Sequence, residues 1–357
     1  MPTVHEQLRQ HILEAELGSA ITISFAKKPA IPLPGKHNEA ILIDQLQASD
    51  KTLRWQAAEK LSYSANTEVV LALITAMNDS SGTQRVCVMA QALGHIKDPR
   101  SLSALTQAAF DPYNRDLRLC AIRSIGMIGD KSAVPDLIKA LQQNNTPVQT
   151  ANSLARLGDV RAVQPLIDAA SNQSIRPWMI RALGELGKKE ALPYLNAELA
   201  SVTTNIKMHK ILEESLWKIS ILDQLDNTTA LSEVLLDNHE SNKRMWAAYR
   251  LGELKNVMSV YQLISSLHDD NIEVAGRAAA ALVRMKEVSL MPIRLTLMQS
   301  VRPTAKANHQ SQFNYLYAVL GYIGDTTDIT ILQSVSDDKK VFDMVVSESL
   351  ELIKSGI

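Results

Sequence analysis

The sequence predicts an all-α protein, an α-solenoid wound as a right-handed superhelix of about ten helix pairs, and three features of the 357-residue chain predict it. The first is a text that returns in succession. Ala133-Val134-Pro135-Asp136-Leu137-Ile138 comes back as Ala162-Val163-Gln164-Pro165-Leu166-Ile167, and more loosely as Ala191-Leu192-Pro193-Tyr194-Leu195. The second is an apolar segment closed by glycine behind each of the first two copies, at residues 154–158 and 183–187. A self-similar period of about thirty residues marks supersecondary units that cannot bury an apolar face alone and must stack. The third is composition, 46% apolar but only 4% aromatic. That fraction excludes intrinsic disorder, and the dominance of Leu, Ile, Val and Ala suits close helix packing.

Charge is balanced, with 37 Lys and Arg against 38 Asp and Glu, so no global field draws the protein to nucleic acid or to acidic membranes. Two cysteines, Cys87 and Cys120, are too few for a disulfide framework and each falls in an apolar helical segment, which predicts buried free thiols. The N-terminus has no basic region followed by an apolar core, and no apolar run approaches the ~20 residues that span a bilayer. A cytoplasmic protein without membrane contact is expected.

Residues 1–18 read as an N-terminal helix, with Leu8, Ile12, Leu13 and Leu17 at helical spacing and Gly18 placed to end it. Residues 19–37 are an extended, Pro-rich arm or linker, because prolines remove amide donors and push their predecessors to extended geometry. From 38 to 357 the chain alternates two apolar segments per unit. The second segments align on one column: Leu61, Leu93, Ile125, Leu154, Leu183, Leu216, Leu251, Leu282, Leu320 and Leu350. Four positions on comes an expected stop: Ala65, Lys97, Gly129, Gly158, Gly187, Ser220, Lys255, Lys286, Gly324 and Lys354. Pro135, Pro165, Pro193 and Pro292 are expected to open first helices, where a missing amide costs nothing. Ala58, Ala90, Ala121, Ala151, Ala248 and Ala279, just before the column, would let neighbouring helices approach. The period loosens at 198–226 and stretches at 299–311, where a loop could serve a partner.

The text Asp159-Val160-Arg161-Ala162-Val163-Gln164-Pro165-Leu166-Ile167-Asp168 and Arg181-Ala182-Leu183-Gly184-Glu185-Leu186-Gly187 resembles HEAT repeats, specifically the short bacterial kind named for phycobilisome lyases. The resemblance covers about residues 38–357 and specifies fold more than function. It implies an Arg early in the second helix, here Arg54, Arg118, Arg176 and Arg244, and an Asp after the stop, here Asp98, Asp130, Asp159 and Asp325. Arg–Asp pairs between adjacent units would then set repeat register, a structural role.

Chemistry is sparse. Deoxyhypusine hydroxylase resembles such repeats but carries His-Glu pairs at repeated positions. Here His5-Glu6 and His239-Glu240 are not equivalent, and no histidines share metal-ligand spacing on one helix. No phosphate loop, nucleophile elbow or Cys-x-x-Cys is present. No catalytic residue and no metal ligand is expected.

A concave binding stripe is set by helical phase, six and two positions before the column leucine. It includes Trp55 and Glu59, Cys87 and Gln91, Leu119 and Arg123, Pro177 and Arg181, and Met245 and Tyr249. With Trp246 added, the expected binding residues are Trp55, Glu59, Leu119, Arg123, Arg181, Met245, Trp246 and Tyr249; Trp178 and Trp217 are expected in the core. The stripe is mixed and partly apolar, which suits a protein surface or a flat ligand better than DNA.

The main reading is therefore a non-catalytic scaffold or adaptor that binds a protein partner and needs no cofactor. The alternative rests on resemblance: residues 244–252, Arg-Met-Trp-Ala-Ala-Tyr-Arg-Leu-Gly, are similar to the aromatic-rich segment of E-type phycobilin lyase subunits. That implies a cradle at Trp55, Met245, Trp246 and Tyr249 for a bilin, an open-chain tetrapyrrole, with a phycobiliprotein as partner. Only Trp246 and Tyr249 stand where that segment has aromatics.

Overall fold

The computed structural model describes residues 3–17, 39–62, 64, 66–78, 83–143, 146–202, 204–300, 310–333 and 340–354. Among these residues every regular element is a helix, as the repeat text requires. The fold is an all-α solenoid of helix pairs, and the chain divides into two compact units.

The unit His37–Leu225 holds six pairs: α2 (Glu39–Gln45) with α3 (Lys51–Leu61), α4 (Thr67–Asn78) with α5 (Thr83–Ile96), α6 (Leu102–Ala109) with α7 (Arg115–Ile128), α8 (Val134–Gln142) with α9 (Pro147–Leu157), α10 (Val163–Ala169) with α11 (Arg176–Leu186), and α12 (Leu192–Ser201) with α13 (Ile206–Leu222). The other unit, Met1–Lys36 with Asp226–Ile357, holds α1 (Val4–Leu17) and four pairs. These are α14 (Asn227–Asp237) with α15 (Ser241–Leu254), α16 (Val260–Ser265) with α17 (Ile272–Arg284), α18 (Lys286–Ser300) with α19 (Gln310–Ile323), and α20 (Ile329–Gln333) with α21 (Lys340–Lys354). The arm at 19–37 and most of the 299–311 loop lie outside the described residues.

Eight of the ten column residues are buried, from Leu61 at 1% exposure to Leu320 at 0%, while Leu216 and Leu350 are half-buried. All six alanines expected to permit close approach are fully buried. A tighter contact goes beyond them. The residue after the column packs on the residue before the column of the next second helix. A Cβ added to Gly94 would meet Ser124 Cβ at 2.8 Å, one on Gly126 would meet Ser153 Oγ at 2.8 Å, and one on Gly252 would meet Ala281 Cβ at 2.8 Å. The Ser153 hydroxyl donates to Ile122 O at 2.9 Å, so its burial leaves no donor unpaired. Second helices thus touch along their length, whereas first helices meet their equivalents sparsely. Within each unit the second helices form the tighter, inner layer.

The expected helix stops hold at Lys97, Gly129, Gly158, Gly187 and Lys255, all at positive φ. Two others do not, since α13 runs through Ser220 to Leu222 and Lys286 opens α18, while α21 is described up to Lys354, the last described residue. At Gly324 the chain turns without the left-handed backbone, its amide donating to Leu320 O at 2.7 Å. Ala65 lies outside the described residues. Pro135 and Pro193 sit in the first turns of α8 and α12, but Pro292 is internal to α18, because that helix begins directly after α17 and absorbs its whole link.

The Arg and Asp columns are structural, but they do not pair with each other. Arg118 Nη1 donates to Asp111 O at 2.7 Å, Arg176 Nε to Ala170 O at 2.9 Å and Arg244 Nη1 to Asn238 O at 2.8 Å. Arg54 likewise reaches the carbonyls of Ala48 and Ser49. Each arginine ties down the chain that leaves its own first helix, where carbonyls lack helical partners. The aspartates instead accept amides of the next turn: Asp98 from Arg100, Asp130 from Ser132, Asp159 from Arg161 and Asp325 from Thr327. Two of the arginines also reach the next helix pair, Arg244 to Asp269 at 2.7 Å and Arg176 to Glu198 at 3.5 Å, but these carboxylates lie outside the aspartate column.

Candidate functional site

The eight expected binding residues fall into two sets on different units, five on His37–Leu225 and three on the other. On the first unit, Trp55 and Glu59 are half-buried on α3, Leu119 is half-buried on α7, and Arg181 is exposed on α11. Inner helices are spaced roughly 8–10 Å apart. Trp55 and Arg181, four inner helices apart, therefore cannot share one small ligand. Arg181 lies over the Trp178 ring, 5.3 Å from guanidinium carbon to centroid. Trp178 is 36% exposed, not core as expected, because it sits in the first turn of α11 and turns outward there; Trp217 is half-buried.

Arg123 departs most from expectation. It should project from α7, yet only 6% of its surface is exposed. Its Nε has no hydrogen-bond partner. Burial, and then the neighbouring Arg156 of α9, push its pKa below the ordinary arginine value. Further along the inner layer, Lys218 is buried but doubly held, at 2.7 Å from Glu185 Oε1 and 2.7 Å from Glu214 Oε1. Burial opposes its charge, but the two carboxylates outweigh burial and raise its pKa.

On the second unit Met245, Trp246 and Tyr249 are half-buried neighbours at i, i+1 and i+4 on α15. Tyr249 is not a bare stacking face. Its hydroxyl donates to Glu253 Oε1 at 2.7 Å, and the Arg284 guanidinium lies 5.1 Å from its ring centroid. Arg250 also donates to Glu253, at 2.8 Å.

Sequence reasoning missed the position of α1, which packs on the inner helices α17, α19 and α21. Leu8 is wholly buried, and any Cβ at Gly276 would collide with the His11 imidazole. His5, 7% exposed, has Nε2 3.1 Å from Ser349 Oγ. Its Nδ1 stands 2.8 Å from Glu348 Oε2, without the alignment of a hydrogen bond. Burial lowers the His5 pKa to about 4, so the ring is neutral at pH 7. The signal was available in Gly276, a glycine at a groove-facing position of an otherwise alanine-rich helix.

The cysteines are also corrected. Cys87 of α5 and Cys120 of α7 are joined as a disulfide, with Cα atoms 5.4 Å apart, and are not free thiols. Their separation of 33 residues, about one repeat, places them side by side on adjacent inner helices. Gln91 Nε2 lies 3.7 Å and 3.8 Å from the two sulfurs. Among the described residues no three His, Cys, Asp or Glu side chains gather as a metal site. No helix among them is long and apolar enough to cross a membrane.

The profile of the family described as HEAT repeats matches residues 39–118, 86–151 and 112–174. The bilin biosynthesis protein PecE of Nostoc sp. is 27% identical over 192 residues, covering 49% of this chain and 71% of that protein. PecE of Mastigocladus laminosus is 33% identical over 114 residues, covering 29% of this chain and 42% of that protein. Among solved structures, the complex of CpcE and CpcF of phycocyanin lyase from Nostoc sp. aligns at 22% identity and a TM-score of 0.42, over 83% of this chain and 100% of that one. With its inner-layer column, glycine stops and matching profile, the chain carries HEAT repeats over residues 39–174 and is similar to bilin biosynthesis proteins.

Proposed function

We propose that this protein holds an open-chain bilin on an inner helix layer and presents it to, or removes it from, a phycobiliprotein, as a bilin lyase or a related phycobilisome assembly or degradation factor. The observation that carries the reading is the similarity to two bilin biosynthesis proteins, one over 192 residues. It supports this reading above the generic scaffold that balanced charge and absent motifs favour. The mixed inner surface is in keeping with it: half-buried Trp55 and Leu119 offer apolar area. The protein partner would be a phycobiliprotein, met in the cytoplasm.

The test is co-expression of the tagged full chain with a phycobiliprotein and a bilin supply, then affinity capture and absorbance. A visible bilin band, with phycobiliprotein retained, is the expected result. A colourless complex with an unrelated protein sinks the proposal.

A further inference from the structure

We infer that the Cys87–Cys120 bridge is a site of reversible thiol–disulfide exchange with a dithiol co-reactant, and that Gln91 promotes the exchange. Three observations carry this. The first is that the bridge joins α5 to α7 along a seam that is packed without it. Cys87, Gln91 and Gly94 lie at i, i+4 and i+7 on α5, and they meet Cys120 and Ser124, at i and i+4 on α7. The seams of α7 with α9 and of α11 with α13 repeat the glycine-on-serine approach, through Gly126 on Ser153 and Gly184 on Ser215. Neither has a covalent link, since the chain has only these two cysteines. Opening the bond therefore leaves a seam of the kind that already holds other repeats together.

The second is unequal access: Cys87 is half-buried, whereas Cys120 is only 6% exposed. An incoming thiolate meets the Cys87 sulfur first, and Cys120 is the leaving group. The third is Gln91, whose Nε2 lies 3.7 Å from the Cys87 sulfur and 3.8 Å from the Cys120 sulfur. In the transition state of exchange the negative charge spreads over three sulfurs, the attacking one and the two of the bridge. A side-chain amide has two N–H donors, and this one is set beside both bridge sulfurs before the charge develops.

The exchange runs in two steps. One thiolate of the dithiol bonds to Cys87 Sγ as the Cys87–Cys120 bond breaks, and the electron pair leaves on Cys120 Sγ beside Gln91. The second thiolate of the dithiol then displaces Cys87 from the mixed disulfide. The dithiol loses two electrons and closes to its own disulfide, and its two protons pass through solvent to Cys87 and Cys120.

The experiment follows reduction of the native full-length protein by dithiothreitol, with N-ethylmaleimide labels counted by intact mass and circular dichroism checking the fold. Wild type should gain two labels together without urea and with its helical signal unchanged, and oxidised dithiothreitol should restore the bridge. Gln91→Leu should slow reduction about tenfold, and Gln91→Glu should slow it at least as much, because a carboxylate repels the developing thiolate. A glutamine that only packs the seam would loosen it on replacement and speed reduction, so an equal or faster rate in both variants overturns its role. Cys87 in Cys120→Ser should react with maleimide about tenfold faster than Cys120 in Cys87→Ser; equal rates overturn the order of attack. A bridge that opens only in urea, or that oxidised dithiothreitol fails to form, overturns the exchange site itself. None of these readouts involves a bilin, so they are separate from the test of the proposed function.

Discussion

The two units share one repeat yet treat the same inner layer in opposite ways. In the unit that ends the chain, the layer formed by α17, α19 and α21 is covered by α1, with Leu8 buried and the imidazoles of His5 and His11 buried at the contact. In His37–Leu225 the inner layer carries charge, with Arg123 Nε enclosed without a hydrogen-bond partner and Lys218 held by two carboxylates. The repeat builds a surface, and residues outside the repeat pattern decide what the surface does. One inner layer is used for internal docking. The other holds charge inside the layer, where Glu185 and Glu214 pair Lys218.

If α1 is integral to its unit, Leu8→Ala should destabilise the protein by roughly 3–4 kcal/mol, the cost of lost burial plus an unfilled cavity. Urea denaturation monitored by tryptophan fluorescence measures this, and a change within error would mean that α1 merely rests on the inner helices. Acid should weaken the same contact. The His5 pKa is depressed to about 4 in the fold, so between about pH 6.5 and 4 the unfolded chain binds the proton that the native one excludes. Stability from this group is full above pH 6.5 and falls as pH drops toward 4, by about 3 kcal/mol at most. His5→Gln should flatten that part of the pH profile; an unchanged slope would assign the acid sensitivity elsewhere.

On the other unit Lys218→Ala leaves Glu185 and Glu214 facing one another without their cation. Because both carboxylates are partly exposed, the loss should be about 2 kcal/mol, below that of a fully buried pair. Lower salt should enlarge it, which a melting series in NaCl can check. The smallest effect is expected where Tyr249 is already engaged by Glu253 and Arg284. Tyr249→Ala should change biliverdin affinity less than about threefold. A larger loss for Tyr249→Ala would move the ligand to α15 and reverse the comparison.

Helix content, number of pairs and the buried column were readable from the sequence because burial of one stripe per helix is a local, periodic demand. Leu61, Leu93 and Ile125 announce it by spacing alone. The binding stripe was less readable. Helical phase put Arg123 on a projecting face, yet close contact between inner helices, through pairs such as Gly94 with Ser124 and Gly126 with Ser153, brings the flanking helices near enough to bury it. Phase also gave Arg54, Arg118, Arg176 and Arg244 their structural role but the wrong partners, because a carbonyl left free by a helix end leaves no mark in side-chain text.

By itself the sequence determined the repeat, its period and its core, since these arise from interactions within a unit and with the next. Only the tertiary structure decided which inner layer α1 covers, that Cys87 meets Cys120, and that Arg123 is buried. Those facts depend on distances between residues of different helices, which no one-dimensional period contains.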